Sequence, residues 1–333
     1  HWRIIPGSTS EDLAAKSYVL DASKRVRIAA LERRGLSGDV EPVEEVPGYF
    51  RVNYALQSSP LISIIVPTRD NESVLRRCLD SIRDLSGYEN YEIIIMDNGS
   101  VDPDTLSFFD ELRSRDAVTI VQHNAPFNFS ELNNRGADVA RGDLLLFLND
   151  DTVVLTPDWL ERMGGYAQLS HVGAVGAKLL YPGGREVQHV GVLNLENGPV
   201  HAFLNQPADS PGYFMRNLLE YNWLAVTGAC LMVERKKFSQ VGGFDERFPI
   251  AYNDIELSMR LHDAGYYNLV CSAVRLIHHE SVSRGLDLQD EAKQKRLKGE
   301  WQQLSLLHPK YFQHDPFYNP NLHPNGTNFE LME

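Results

Sequence analysis

The fold of this chain is decided by three stretches of its sequence: LISIIVPTRD (61–70), YEIIIMDNGS (91–100) and DLLLFLNDD (143–151). Each stretch is an apolar run of strand length that ends in polar residues. Other elements are predicted between them, with helices near 72–85, 103–114 and 130–140 and a strand near 117–121. Strands that alternate with helices imply a mostly parallel sheet with helices on both faces. We therefore expect an α/β fold.

Three segments are expected along the 333 residues. They are an N-terminal helical appendage and linker (1–58), a main α/β domain (59–285), and a C-terminal helix with an extended tail (286–333). Apolar residues at steps of three and four predict a helix over about 11–34, and the acidic, proline-containing stretch 38–47 is interpreted as a linker. The later elements are predicted as strands near 173–180, 226–233 and 269–277 and helices near 255–264 and 290–307. The length fits one large domain with appendages.

Composition and charge exclude several classes of protein. Hydrophobic residues make up 43% and charged residues 23% of the chain, which is typical of a folded enzyme. A net charge of −13 without a long Lys/Arg run argues against nucleic acid as a partner. No apolar run approaches the roughly 20 residues that cross a bilayer, and no signal peptide is recognisable. We therefore expect a cytoplasmic protein.

The first residue and the cysteines add two further expectations. The chain begins at His1, which indicates a piece of a longer protein whose other domains or partners could bring it to the inner face of the membrane. Three scattered cysteines, Cys78, Cys230 and Cys271, are too few for a disulfide framework or a zinc site. We expect them to be buried free thiols.

Polar loops follow three of the predicted strands, at 67–70 (PTRD), 97–100 (DNGS) and 149–151 (NDD). Ligands of open α/β sheets bind at the carboxyl ends of the strands, so these loops are expected to meet at one site. Asp150 and Asp151 could hold Mg²⁺ or Mn²⁺ against a diphosphate. Alternatively, these residues only turn the chain before a helix near Pro157.

A second set of candidates lies late in the chain. Asp254 is predicted at the start of a helix, where the helix N-terminus favours a carboxylate that could serve as a general base. The alternative is an ordinary N-cap. His278 and His279 follow an apolar run and could offer a metal ligand, or be structural. Arg284, in a glycine-containing loop, could bind phosphate oxygens or be a surface arginine.

These motifs, in this order, resemble the glycosyltransferase family 2 domain, which has the GT-A fold, a Rossmann-like α/β core. The resemblance covers about residues 60–285. The run 62–70 is similar to the family's opening strand and donor loop, and 93–100 is similar to its nucleoside-contacting loop. Asn134-Arg135-Gly136 and 140–143 (ARGD) are similar to the segments that lead into the metal motif.

The second half of the resemblance concerns the acceptor side and the closing segment. Thr227-Gly228-Ala229 and 242–246 (GGFDE) are similar to the strand and loop that precede the catalytic aspartate. Asn253-Asp254 matches the family's Glu-Asp motif, with Asp254 at the base position. The segment 278–285 resembles the closing segment that supplies a metal ligand and a mobile lid. The resemblance implies a nucleotide-sugar half over 59–151 and an acceptor half over 152–285.

Particular roles follow from the resemblance. Asn149-Asp150-Asp151 takes the place of the Asp-x-Asp motif, so that a divalent cation, Mn²⁺ or Mg²⁺, would bind chiefly Asp151, with His278 or His279. Asp254 would be the catalytic base. The residues implied to bind the donor are Pro67, Thr68, Asp70, Asp97, Asn98, Asn134, Gly136, Asp150 and Arg284. The residues expected to contact the acceptor are Trp223, which could stack on a sugar, Thr227, Gly228 and Asn253.

The implied reaction is an inverting sugar transfer from a nucleotide-sugar donor to a saccharide or lipid-linked saccharide acceptor. The flanks at 1–52 and 318–322 resemble a subgroup of large bacterial polysaccharide enzymes, often rhamnosyltransferase-like, which suggests a dTDP- or UDP-sugar such as dTDP-rhamnose and O-antigen or capsule synthesis.

Three other functions are compatible with the same pattern of strands and helices. A nicotinamide dehydrogenase is excluded because no G-x-G-x-x-G follows the first strand. A sugar-1-phosphate nucleotidyltransferase lacks its glycine-rich, basic loop there. A non-catalytic glycan-binding or scaffold module remains the alternative, although the carboxylates of Asp150, Asp151 and Asp254 favour catalysis.

Overall fold

The structure, a computed structural model, describes residues 18–114, 118–279 and 291–332. Its first elements are helix α1 (Tyr18–Arg33) and an antiparallel hairpin of β1 (Gly38–Pro42) and β2 (Phe50–Tyr54). The prediction of a linker over 38–47 was therefore partly wrong. Strand β1 reads GDVEP, and its only buried side chain is Val40. One inward apolar residue is too weak a pattern to distinguish a strand from a linker.

Four parallel strands form the first half of the central sheet: β3 (Ile62–Thr68), β4 (Tyr91–Asp97), β5 (Val118–Gln122) and β6 (Leu144–Leu148). Helices α2 (Glu72–Leu85), α3 (Pro103–Arg113) and α4 (Phe129–Val139) connect them. Every residue of β3 and β6 is buried, because helices cover both faces of the sheet. The predicted alternation of strands and helices is confirmed here.

The second half of the chain adds strands in mixed directions. They are β7 (Thr152–Val154), β8 (Val172–Leu180), β9 (Val187–His189), β10 (Val192–Leu195), β11 (Gly198–His201), β12 (Tyr221–Trp223), β13 (Cys230–Glu234) and β14 (Tyr267–His278). The main sheet runs β12-β14-β8-β13-β6-β3-β4-β5, with β7 on β14 and β9 on β8. Strand β13 is antiparallel to both β6 and β8, so the sheet is mostly parallel only in its first half. The apolar runs in the sequence do not indicate whether neighbouring strands are parallel or antiparallel.

The remaining helices are α5 (Trp159–Ala167), α6 (Arg235–Gln240), α7 (Asn253–Asp263), α8 (Glu291–Leu307) and α9 (Pro309–Gln313). The tail that was expected to be extended from 308 thus begins with a short helix. In α8, the Glu300 carboxylate accepts a hydrogen bond from the Ala251 amide at 2.6 Å, just before α7. The Tyr311 hydroxyl of α9 lies 2.7 Å from Nδ1 of His262 in α7. The C-terminal helices therefore hold α7 in place.

The N-terminal hairpin also packs on the main domain. Arg51 of β2 forms an ion pair with Glu220 at 2.9 Å, and the Tyr166 hydroxyl of α5 donates to the Val52 carbonyl at 2.7 Å. The described parts of the N-terminal and C-terminal segments each contact the main domain, and the segment boundaries stay predictions. No helix among the described residues is long and apolar enough to cross a membrane.

The three cysteines are free and buried, as predicted. Burial raises the pKa of the Cys78 thiol to about 12, so that it stays protonated at neutral pH.

Helix α4 approaches strand β3 closely at Gly136. A Cβ atom at this position would lie 2.4 Å from Cγ2 of Ile65 and 3.3 Å from Cγ of Met96. We expect Gly136→Ala to destabilise the fold by about 1–3 kcal/mol through overpacking, measured as a lower midpoint of thermal unfolding. In Gly299→Ala, the matched control at an exposed position of α8, the new Cβ meets nothing within 4 Å. Gly299→Ala should stabilise the fold by about 0.5–1 kcal/mol. A lower unfolding midpoint for Gly299→Ala than for Gly136→Ala would contradict the packing argument.

Candidate active site

The ends of β3, β4 and β6 place polar side chains at one edge of the sheet. Thr68 ends β3, and its hydroxyl donates to Oδ2 of Asp150 at 2.6 Å. Asp97 ends β4 and is 0% exposed. One of its oxygens, Oδ1, accepts from the Ser100 amide at 2.8 Å, whereas Oδ2 has no hydrogen-bond partner among the described residues. A buried carboxylate oxygen without a partner is costly and requires an explanation. A hydroxyl group of a bound ligand would supply the missing partner.

The first two loops are tied together by Asp70, whose backbone is left-handed with φ of 49°. Its Oδ1 accepts from the amides of Val101 and Asp102 at 2.6 and 2.8 Å. Partial burial acts to raise the pKa of Asp70, but these two hydrogen bonds and the neighbouring Arg69 together outweigh it and lower the pKa. This carboxylate therefore holds the first two loops together.

Two more of the predicted donor residues serve the local structure. The amide nitrogen of Asn98 donates to the carbonyls of His123 and Ala125 at 3.0 and 2.9 Å, while its Oδ1 is buried without a partner in the described chain. Pro67 is buried within β3, opposite Met96. Its contact with the donor stays a prediction.

Asn134 and Gly136 were also predicted to bind the donor, and the structure gives them other partners. The Asn134 side chain donates to the Phe244 carbonyl at 2.9 Å and accepts from the Phe244 amide at 2.8 Å. It thereby anchors the loop that leads toward α7. Gly136 permits the close contact of α4 with Ile65. The structure shows these contacts within the protein, and the donor contacts of Asn134 and Gly136 stay predictions. Arg284 lies outside the described residues, and its role stays a prediction.

Asp151 and His278 form the candidate metal centre. Oδ1 of Asp151 lies 3.1 Å from Nε2 of His278, and both side chains are largely buried. Asn149 lies 3.3 Å from the same Nε2 through its amide nitrogen. His279 instead donates its backbone amide to the Asp151 carbonyl at 2.9 Å, and burial lowers the pKa of its imidazole. The geometry therefore favours His278 over His279 as the ligand.

The side chains of Asp151 and His278 fit a divalent cation of the Mn²⁺ or Mg²⁺ type. Such a cation binds carboxylate oxygen and, for Mn²⁺, imidazole nitrogen. Within 18–114, 118–279 and 291–332, no group of three or more His, Cys, Asp or Glu side chains is arranged to hold a metal. Two protein ligands suit a cation that also binds substrate phosphate oxygens.

Asp254 lies in the first turn of α7, one residue after Asn253. Its Oδ2 accepts from the Gly228 amide at 2.7 Å, and its Oδ1 accepts from the Ile255 amide at 2.8 Å. The N-cap position belongs to Tyr252, which is left-handed with φ of 60° and makes no side-chain cap. The alternative of a simple N-cap is therefore wrong for Asp254, whose partly exposed carboxylate is oriented by two backbone amides.

Of the four predicted acceptor residues, one is partly exposed and three are buried. Thr227 is partly exposed beside the site. Gly228 and Asn253 act on the protein itself, because Gly228 orients Asp254 and Asn253 donates to the Ile250 carbonyl at 3.1 Å. Trp223 is 0% exposed, and its ring occupies the space that a Cβ at Gly191 would need. The prediction that Trp223 stacks on an acceptor sugar is wrong, because its ring is part of the core.

Sequence reasoning missed Gln188 and His189 of β9. Oε1 of Gln188 lies 2.8 Å from Nδ1 of His278. Nε2 of His189 accepts from the Thr227 amide at 3.3 Å, and its Nδ1 lies 3.0 Å from Nδ1 of His201. Burial lowers the pKa of His189 well below its usual range, so this imidazole is neutral. No local pattern marked them, because their partners are distant in the sequence.

The base and the metal candidates are joined through neighbouring strands. Strand β6 pairs with β13, and the Asn149 amide donates to the Ala229 carbonyl at 3.0 Å. The preceding residue, Gly228, donates to Asp254. The candidate base and the candidate cation site are thus connected through Gly228, Ala229 and Asn149.

Comparison with known proteins places the chain in a family. The sequence model for glycosyl transferase family 2 matches residues 63–242, and the chain belongs to this family of sugar-transferring enzymes. It is 39% identical over 335 residues to the uncharacterized protein y4gI of Sinorhizobium fredii, covering 99% of this chain and 36% of that protein. It is 36% identical over 328 residues to the O-antigen biosynthesis protein RfbC of Myxococcus xanthus, covering 96% and 25%. The chain thus spans about a quarter to a third of the length of these relatives.

The fold is also similar to that of solved glycosyltransferases. A mannosyltransferase from Pyrobaculum calidifontis, solved with GDP-Man and Mn²⁺, superposes with a TM-score of 0.55 at 17% sequence identity, covering 88% of this chain and 74% of that one. The chain therefore has the GT-A fold expected from the sequence, and the family model confirms the expected family.

Proposed function

We propose that this chain transfers a sugar, with inversion at the anomeric carbon, from a nucleoside diphosphate donor to a saccharide acceptor. The observation that carries the proposal is the placement of Asp254. Its two oxygens are held by the Gly228 and Ile255 amides, and Gly228 adjoins the residue that binds the Asn149-Asp150-Asp151 segment. The proposed base in α7 is thus connected through Gly228 and Ala229 to the proposed diphosphate-binding segment after β6, and this connection supports a single displacement.

Different residues of the chain are proposed for proton transfer, for donor binding and for metal binding. Asp254 accepts the proton of the acceptor hydroxyl as that oxygen attacks the anomeric carbon, and the bond to the nucleoside diphosphate breaks on the opposite face. Asp97, with its unpartnered oxygen, and Thr68 line the donor side. Asp151 and His278 would hold a divalent cation, which, when bound, neutralises charge on the leaving diphosphate. Arg284 is proposed as a further phosphate contact.

The donor class is proposed as a dTDP- or UDP-sugar, with dTDP-rhamnose as one candidate, and the acceptor as a saccharide or lipid-linked saccharide of a bacterial surface polysaccharide. The description of RfbC as an O-antigen biosynthesis protein supports this pathway. Because the chain spans only part of its relatives, we also propose that further domains accompany it.

Release of nucleoside diphosphate from a panel of UDP-, dTDP- and GDP-sugars tests the proposal. The chain is assayed with Mn²⁺ and with EDTA, in the presence of simple saccharide acceptors. We expect release from one donor that depends on the cation. No release from any donor, with or without acceptor, would contradict the proposed activity of this chain.

A further inference from the structure

We propose that Gln188 is a positioning residue that fixes the tautomer of His278, so that Nε2 of this imidazole is presented beside Asp151 as a ligand for a divalent cation. The inference rests on the proposed function, in which Asp151 and His278 hold that cation. It concerns a residue that does not itself contact donor, acceptor or metal.

The contacts of the His278 ring assign its protons. Nδ1 lies 2.8 Å from Oε1 of Gln188, and an amide oxygen can only accept a hydrogen bond, so Nδ1 carries a proton. Nε2 lies 3.3 Å from the amide nitrogen of Asn149, which can only donate, so Asn149 faces a lone pair. The structure places the amide oxygen of Gln188 and the amide nitrogen of Asn149 toward the ring. The lone pair of Nε2 is therefore available for a cation.

Asp151 alone would favour the opposite arrangement. Its Oδ1 lies 3.1 Å from Nε2, and a carboxylate at that distance attracts a proton onto Nε2. In a neutral imidazole this proton would come from Nδ1, and Nε2 could no longer bind a cation. Gln188 opposes this shift, since its oxygen is satisfied only while Nδ1 remains protonated. A hydrogen bond to the second ring nitrogen is the usual way that proteins set the ligating nitrogen of a histidine.

The position of Gln188 depends on a β-bulge. Strand β9 pairs with β8 through Leu179 opposite His189 and Leu180 opposite Val187, with a register shift between the two pairs. Regular pairing would put Gln188 opposite Leu180, so Gln188 is the extra residue of the bulge. Bulges redirect side chains beside active sites.

The bulge explains why two consecutive residues of one strand serve the same site. Side chains at successive strand positions normally point to opposite faces. Here Gln188 contacts His278, and His189 accepts a hydrogen bond from the Thr227 amide, next to the residue that orients Asp254. Gln188 is only 5% exposed, so surrounding packing holds its amide in place.

Titration of the purified chain with Mn²⁺, without any nucleotide, tests the role of Gln188. Free Mn²⁺ is followed by electron paramagnetic resonance. Gln188→Leu removes the acceptor oxygen at similar size, and we expect Mn²⁺ to bind about 10- to 100-fold more weakly. Gln188→Glu keeps an acceptor oxygen and should bind Mn²⁺ close to the unaltered chain. Gln168→Leu is the matched control, because Gln168 bonds to the Ala55 carbonyl near the N-terminal hairpin and should leave Mn²⁺ binding unchanged.

A second measurement reads the tautomer without any metal. Nitrogen-15 NMR of His278 should show a protonated Nδ1 in the unaltered chain and a protonated Nε2 in Gln188→Leu. Weaker Mn²⁺ binding together with this switch supports the inference. Equal Mn²⁺ binding by a Gln188→Leu chain with an unchanged unfolding midpoint overturns it and leaves Asp151 and His278 as ligands. Absence of Mn²⁺ binding by the unaltered chain, both alone and with nucleoside diphosphate, would instead overturn the metal site of the proposed function.

Discussion

Asp254→Asn should lower the turnover number for sugar transfer by about 10²- to 10⁴-fold while the dissociation constant of the donor stays nearly unchanged. The amide of Asn keeps the shape of the carboxylate but cannot accept the proton of the acceptor hydroxyl. One oxygen remains to accept from either the Gly228 or the Ile255 amide, so that the loop before α7 should persist. Turnover is measured as nucleoside diphosphate release with acceptor, and donor affinity by calorimetry.

The control for this substitution is Asp110→Asn on helix α3. The Asp110 side chain is 77% exposed and pairs only with Arg113 in its own helix among the described contacts. It should leave both turnover and donor affinity unaltered. Turnover of Asp254→Asn equal to that of the unaltered chain would remove Asp254 from the mechanism, and an equal loss in Asp110→Asn would show that the assay reports a general effect on the protein.

Asp151→Ala should abolish the gain in nucleotide affinity that Mn²⁺ confers. The Asp151 carboxylate is the only acidic side chain seen within 3.1 Å of Nε2 of His278 in the described chain, so its loss leaves an imidazole alone to hold the cation. A single neutral nitrogen is a poor site for Mn²⁺, which prefers carboxylate and phosphate oxygens. Nucleoside diphosphate affinity is measured by calorimetry with Mn²⁺ and with EDTA, and the two values should converge in the variant.

Asp138→Ala serves as the control, since this exposed aspartate lies on α4, outside the strand ends that form the site. It should retain the full difference between Mn²⁺ and EDTA. If Asp151→Ala also retained that difference, the cation would not be held by Asp151, and the candidate metal centre would have to be abandoned.

The catalytic side of the site illustrates how far sequence reasoning reached. The residue types around Asp254 predicted a carboxylate at the start of a helix, and α7 begins one residue before it. The predicted strand at 226–233 begins only at Cys230, which frees Gly228 to turn its amide toward Asp254. Local propensity identified the carboxylate, whereas the partner that orients it depends on how β13 and α7 pack together.

Some residues predicted to bind the donor or the acceptor make structural contacts that the sequence did not indicate. Asn134 and Gly136 stand in a stretch that resembles a ligand-binding segment, yet they anchor the Phe244 loop and the packing of α4 on β3. Trp223 has the ring expected of a sugar platform but is buried. Residue type alone does not state which face of an element is turned to solvent, so these three roles were not predictable from the chain.

The sequence by itself determined the parallel half of the sheet and the polar ends of its strands. A strand buried on both faces must be apolar along its length. Strands β3, β4 and β6, and the carboxylates that follow them, can therefore be predicted from the sequence. Only the tertiary structure decided that His278 rather than His279 faces Asp151 and that Gln188 sets its tautomer. Gln188 and His278 are 90 positions apart and meet through the bulge of β9 on β8, which no local pattern records, because the contact is created by strand pairing across the fold.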